Sequence, residues 1–225
     1  EDIRRQQFEQ IHQLLVHAFQ TTAFYRERLG ALGFDPQERV AANFFSMIPI
    51  LYREDIQTHL GRMNSRNIPK SHGKIGLLES SGSTGKPVKV QSTSLSRFFW
   101  QSFTLRDHLW HRRDFSRKHG SIRVGAPSRT LDHWGAATKM FDTGPNALLD
   151  IKSNMDDQIK WVQQNAPYYL LSYPSNLREM ARRCIQTGAS FPDLGEIRTF
   201  GETVTDDIRD ICRQAWGVGI KDMYS

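Results

Sequence analysis

From about residue 121 onward, short aliphatic runs alternate with amphipathic helical stretches, and this constrains the fold more than any other feature of the chain. Strand-like segments fall at residues 121–126, 147–151, 168–172, 196–200 and 218–224. Helical periodicity occupies 93–110, a stretch near 134–143, 155–164 and 175–186. A further helix is capped by Thr205, carries Asp206 and Asp207 in its first turn, and runs through Ile208, Ile211, Cys212 and Ala215 to Gly217. Strands separated by helices with short connections imply an α/β fold, with a largely parallel sheet flanked by helices.

The first 72 residues read differently. Ile3, Phe8, Ile11, Leu14, Leu15, Ala18 and Phe19 form a helical stripe, and Thr21 or Thr22 can cap a short helix over 23–29. Phe44 to Leu51 reads as an apolar connection, another short helix starts at Tyr52, and 61–72 reads as a loop. The expected organisation is a helical region, 1–72, packed on a main α/β region, 73–225.

Between two strand-like flanks lies Ser80-Ser81-Gly82-Ser83-Thr84-Gly85-Lys86-Pro87. The glycines let backbone N–H groups close on an anion, the hydroxyls donate further bonds and Lys86 adds a point charge, so a polyphosphate is a natural guest. A plain Ser/Gly hairpin has the same composition. It is not a Walker A loop, because only Ser83 and Thr84 separate Gly82 from Gly85, and Pro87 follows the lysine.

In an open parallel sheet, ligands bind beyond the carboxyl ends of the strands. Three such ends carry candidates: Gly201-Glu202-Thr203; Asp222 with Tyr224; and the segment after residue 126, which leads to His133-Trp134-Gly135. Each also has a plain reading, as a βα turn, a core aromatic or a surface histidine. No Ser–His–Asp order, His/Cys metal spacing or paired-carboxylate motif is present.

Composition narrows the class. No apolar run is long enough to cross a membrane, and the N-terminus lacks signal-peptide character. Cys184 and Cys212 sit in amphipathic helices, as expected of buried reduced thiols in a cytoplasmic protein. The net charge of +6, with arginines and aromatics mixed between Arg97 and His119, raises nucleic-acid binding. Phe99, Phe103, Arg106 and Trp110 fall at helical spacing, however, which fits an ordinary helix with aromatics in the core and cations in solvent.

Four segments in order resemble the adenylate-forming superfamily of acyl-CoA synthetases and adenylation domains, in its phenylacetate–CoA ligase-like branch. SSGSTGKPVKV (80–90) resembles that family's phosphate loop; HAFQTTAFYRERLGALGF (17–34) with IPILYREDI (48–56) resembles the start of the branch. TFGETVTDDIRD (199–210) and DMYS (222–225) resemble the adenine-binding motifs. The resemblance implies the N-terminal part of the large domain of such an enzyme. Ser80, Ser81, Gly82, Ser83, Thr84, Gly85 and Lys86 would then hold the ATP phosphates, with Thr84 and Lys86 the candidate catalytic residues. Gly201, Glu202, Thr203, Asp222 and Tyr224 would line the adenine slot, and His133, Trp134 and Gly135 the acyl pocket, with no metal ligand assigned.

The implied activity is ATP- and Mg²⁺-dependent conversion of a carboxylic acid, aromatic by the branch, to an acyl adenylate, then transfer to CoA or to the phosphopantetheine thiol of an acyl carrier protein. A homodimer is compatible with this. Position 225 is serine where the family commonly has glycine followed by a Thr-Glu pair, and the ribose-binding aspartate, hinge and C-terminal lysine domain have no counterpart in the chain. The chain is therefore expected to be a fragment, inactive in isolation. The alternatives are a non-catalytic nucleotide-binding or carrier-protein-docking module and, less favoured, a basic nucleic-acid-binding domain.

Overall fold

The computed structural model describes residues 2–79 and 88–223. The chain divides into two compact units, residues 1–99 and 100–225. No described helix is long and apolar enough to cross a membrane.

The first unit holds helices α1 (Asp2–Thr21), α2 (Ala23–Gly30), α3 (Ala42–Met47) and α4 (Arg53–Met63). Leu15, Leu29, Phe34 and Val40 form its core, with Phe8, Ile11, Phe19 and Phe44 packed around them. Thr22 rather than Thr21 caps α2, its hydroxyl accepting from Tyr25 N at 3.2 Å. Thr21 is still inside α1, where its hydroxyl donates to His17 O. The expected apolar connection at 44–51 is partly helical, because α3 takes Phe44 onto Phe34. Strands β1 (Ile75–Glu79) and β2 (Lys89–Thr93) pair antiparallel from Ile75 opposite Thr93 to Glu79 opposite Lys89. The candidate phosphate residues Ser80, Ser81, Gly82, Ser83, Thr84, Gly85 and Lys86 lie outside the described residues.

Helix α5 (Ser94–Trp110) contains the boundary between the units. The second unit then runs β3 (His119–Arg123), β4 (Arg129–Leu131), β5 (Asn146–Asp150), α6 (Met155–Asn165), β6 (Tyr169–Ser172), α7 (Pro174–Thr187), β7 (Glu196–Thr199), α8 (Asp206–Trp216) and β8 (Ile220–Asp222). The strands form one six-stranded sheet in the order β4-β5-β3-β6-β7-β8. Within this sheet, only the edge strand β4 is antiparallel among the described strands. The α/β class with a largely parallel, helix-flanked sheet is thus as the sequence implies.

Register and the two-residue strand period separate the faces. Ile122, Leu149, Leu170, Ile197 and Ile220 share one face, where they meet Ile159, Val162, Leu177, Met180, Ile208 and Cys212 of α6, α7 and α8. Cys184 and Cys212 are buried free thiols there, with Cys212 pushed up to about 12 by burial. His119, Ser121, Asn146, Tyr169, Glu196 and Arg198 share the opposite face.

Two expectations change. The strand predicted at 121–126 is His119–Arg123, because the chain turns at Gly125 and the ladder ends at Arg123. The helix predicted near 134–143 is a single 3₁₀ turn, Ala136–Thr138. It stops before Gly144, whose N–H donates to Phe115 O at 2.7 Å. A Cβ on Gly144 would lie 2.5 Å from the carbonyl oxygens of Ser116 and Arg117, so a close backbone crossing takes the place of another helical turn.

Candidate active site

The polar face of the sheet begins as a pattern in the strand sequences. His119 and Ser121 alternate with Gly120 and Ile122, and Glu196 and Arg198 alternate with Ile197 and Thr199. The part of α5 from Trp100 onward faces this surface with Thr104, Asp107 and His108.

These side chains and Arg113 form one buried network. Arg113 donates through Nη1 to Asp107 Oδ2 at 2.6 Å and through Nε to Glu196 Oε1 at 2.5 Å. Arg198 donates through Nη2 to the same Asp107 oxygen at 3.1 Å, and through Nη1 to His119 Nε2 at 3.1 Å. Guanidinium can only donate, so His119 Nε2 accepts; its proton is on Nδ1, which donates to Asn146 Oδ1 at 3.1 Å. His108 Nδ1, 3.4 Å from Arg113 Nη1, is likewise the acceptor and leaves Nε2–H as that ring's donor.

Two arginines balance two carboxylates, and both imidazoles stay neutral. Burial, then the charges of Arg198 and Arg113, lowers His108 to about 3. Burial and Arg198 lower His119 well below the ordinary range. Burial, then Arg113, lowers Arg198 to about 10, which leaves it charged at neutral pH. Breaking one partner of such a buried set costs about 3–5 kcal/mol. Arg198 Nε is buried with no partner among the described residues.

Above the network lies a cleft of about 390 Å³. It is lined by aromatic Trp100, Trp134 and Phe200 and by polar His108, Ser121 and Arg198, with Arg123 nearer the carboxyl end of β3. No Asp or Glu lines it among the described residues. The β3–β6 pair is also where the topology switches, because the chain leaves β3 towards β5 and leaves β6 towards β7. Such switch points are where open α/β sheets place ligands.

The expected site residues fall as follows. Trp134 is buried against His108, His119 and Tyr169, with ring centroids 5.1, 5.5 and 5.2 Å away, and its Nε1 donates to Arg117 O. Gly135 lines the cleft. His133 is not among the lining residues and accepts from Gly135 N at 2.9 Å.

Gly201, separated from the end of β7 by Phe200, has φ 74°, a conformation natural to glycine, and lies against the Tyr173 ring. Glu202 accepts from Ser175 N at 2.9 Å and Ser175 Oγ at 3.0 Å, so its carboxylate sits on the first turn of α7. Thr203 is exposed beside it. Asp222 accepts from Thr199 Oγ1 at 2.7 Å at the end of β8. Tyr224 lies outside the described residues. No group of three or more His, Cys, Asp or Glu able to hold a metal occurs among the described residues.

Sequence reasoning missed Asp107, His108, Arg113, His119, Ser121, Asn146 and Arg198. The available signal was the alternation of polar residues inside β3 and β7, since strands buried on both faces normally read as continuous apolar runs.

A mostly parallel sheet with three helices on its apolar face, preceded in sequence by helices and an antiparallel pair, is a fold this chain shares with solved structures of a CoA ligase. Among solved structures, 2-hydroxyisobutyryl-CoA ligase in its postadenylation state with 2-HIB-AMP matches with TM-score 0.68 at 16% identity, covering 97% of this chain and 47% of that one. The same ligase in an open conformation with 2-HIB-AMP and CoA matches with TM-score 0.66 at 15% identity, covering 96% and 48%. In sequence, the chain is 24% identical over 226 residues to phenylacetate-coenzyme A ligase of Pseudomonas putida, covering 99% of this chain and 50% of that protein. The chain thus spans about half the length of the curated relative it matches. No family model matches.

Proposed function

We propose that the protein containing this chain activates a carboxylic acid with ATP and passes the acyl group to CoA. A carboxylate oxygen attacks the α-phosphorus, pyrophosphate leaves, and the thiol then attacks the acyl carbonyl to release AMP. The observation that carries this reading is the similarity to a phenylacetate–CoA ligase across 99% of the chain. CoA is favoured over a carrier protein because that relative and the solved 2-hydroxyisobutyryl-CoA ligase are CoA ligases by name.

On this reading Ser80 to Lys86 hold the β- and γ-phosphates, with Thr84 and Lys86 acting on the charge that develops there. Gly201, Glu202 and Thr203 border the adenine, mainly through backbone, since the Glu202 carboxylate is already engaged by Ser175. Tyr224 stacks on the base, and Asp222, oriented by Thr199, meets its amino edge. The cleft beside Trp134 and Gly135 takes the acyl part. Rate acceleration then comes from alignment and charge stabilisation rather than from a general base.

The test is acid-dependent exchange of pyrophosphate into ATP by the full-length protein, across aromatic, aliphatic and amino acids. Exchange is expected with at least one acid, and Lys86→Ala should reduce it more than it weakens adenosine binding. No exchange with any acid, or equal activity in Lys86→Ala, would contradict the reading.

A further inference from the structure

Several of the polar groups that line the cleft are gathered at one end, and this bears on the substrate class. Strand register sets the direction. His119, Asn146 and Tyr169 lie level at the amino ends of β3, β5 and β6. Arg198 is level with Leu171 and Ser121, nearer the carboxyl ends, but its side chain runs back to His119 and Asp107. The guanidinium, the two imidazoles and Asn146 are therefore gathered at the end remote from Gly201 and Glu202. The aromatic rings of Trp100, Trp134 and Phe200 line the same cleft.

We propose that the acid held here is aromatic and carries an oxygen acceptor, such as a phenolic oxygen, at the end opposite its carboxylate, where His108 Nε2–H donates to it. This rests on the acid-activation reading above, which puts the reacting carboxylate at the carboxyl ends of the strands. His108 suits the role because Arg113 fixes its tautomer and burial keeps it neutral, so the donor is aimed without a protonation step. A guest with a bare hydrocarbon end would leave the His108 Nε2–H without water or partner. A cationic end is excluded more strongly, since Arg198 and Arg123 line the cleft and no described carboxylate does.

The test compares phenylacetate, 3- and 4-hydroxyphenylacetate and 4-(aminomethyl)phenylacetate in pyrophosphate exchange by the full-length protein. A hydroxylated acid should exceed phenylacetate in kcat/KM by at least about tenfold, as expected of a site built to hydrogen-bond its substrate. The cationic analogue should be inert. His108→Leu should bring the hydroxyl-to-hydrogen ratio near one, while His108→Gln, which retains an N–H donor, should keep most of it.

Exchange with phenylacetate equal to or better than with both hydroxylated acids would overturn the proposal and leave acid activation standing. A preference that survives His108→Leu would overturn the role of His108. Exchange with none of the acids here or in the wider panel would remove the activity itself, and this proposal with it. The wild-type ratio decides the substrate class even if a variant fails to fold.

Discussion

Lowering the pH from 7 to 5 should destabilise the second unit through His108 and His119. Both are buried and neutral, with His108 lowered to about 3 in the folded chain from an ordinary value of 6.5. Below 6.5 the unfolded chain takes up a proton that the folded chain refuses. The stabilisation is therefore complete above about pH 6.5 and is lost as pH falls towards 3. The slope for one such group approaches about 1.4 kcal/mol per pH unit, so His108 alone accounts for about 2 kcal/mol at pH 5. His119 adds a loss of the same sign. The groups around His108 are Arg113, Arg198, His111 and Asp107, and the two arginines reinforce the effect. The lowered carboxylates Glu27, Asp114, Asp156 and Asp207 lose their contribution only on descending through the ordinary carboxylate range, so the window between pH 7 and 5 isolates the histidines. The assay is urea unfolding at both pH values, followed by tryptophan fluorescence, in the wild type and His108→Gln. The variant should lose about 2 kcal/mol less than the wild type over this interval. Identical pH dependence in the two would refute the assignment of His108 as a buried neutral group.

Two further outcomes follow from the site's surroundings. Glu202→Gln replaces a carboxylate that accepts twice from Ser175 at the start of α7, and should lower stability by about 1 kcal/mol in thermal melts while raising KM for ATP in the exchange assay. Gly144→Ala places a methyl group 2.5 Å from two backbone oxygens and should cost more than about 1 kcal/mol, read by urea unfolding; a stability equal to wild type would contradict a close crossing of 144 over 116–117.

The sheet was legible in the sequence because its apolar face is regular. Ile122, Leu149, Leu170, Ile197 and Ile220 each anchor a strand, and α7 and α8 present Leu177, Met180, Ile208 and Cys212 at helical spacing. The start of α8 was legible for the same local reason, with Thr205 at the N-cap position and Asp206 and Asp207 in the first turn, although the Thr205 hydroxyl donates to the Asp207 carboxylate and caps no backbone N–H. The error near 134–143 came from non-local geometry. Ala136, Ala137 and Met140 are good helix formers, and nothing local to them reports that Gly144 must pass against residues 116–117. At the site, the glycine after β7 and the acidic residue beyond it were readable as a strand-end turn, but the hold of Ser175 on Glu202 joins residues 27 positions apart.

The polar network was hidden by the assumption that a helix buries its aromatic side. In α5 the reverse holds: Phe99, Phe103 and Trp110 are 50%, 54% and 76% exposed, whereas His108 is 4% exposed. The cause lies in the sheet beneath, because a face presenting His119, Ser121, Glu196 and Arg198 can be covered only by a helix offering matching charge and hydrogen bonds, which Asp107 and His108 supply. A sheet that buried apolar side chains on both faces would be more stable and would have no cleft. Here α6, α7 and α8 supply the stability from one side, which leaves the other free to hold a polar lining. That division of labour makes the alternation of His119-Gly120-Ser121-Ile122 meaningful, since its apolar half locates the core and its polar half locates the site.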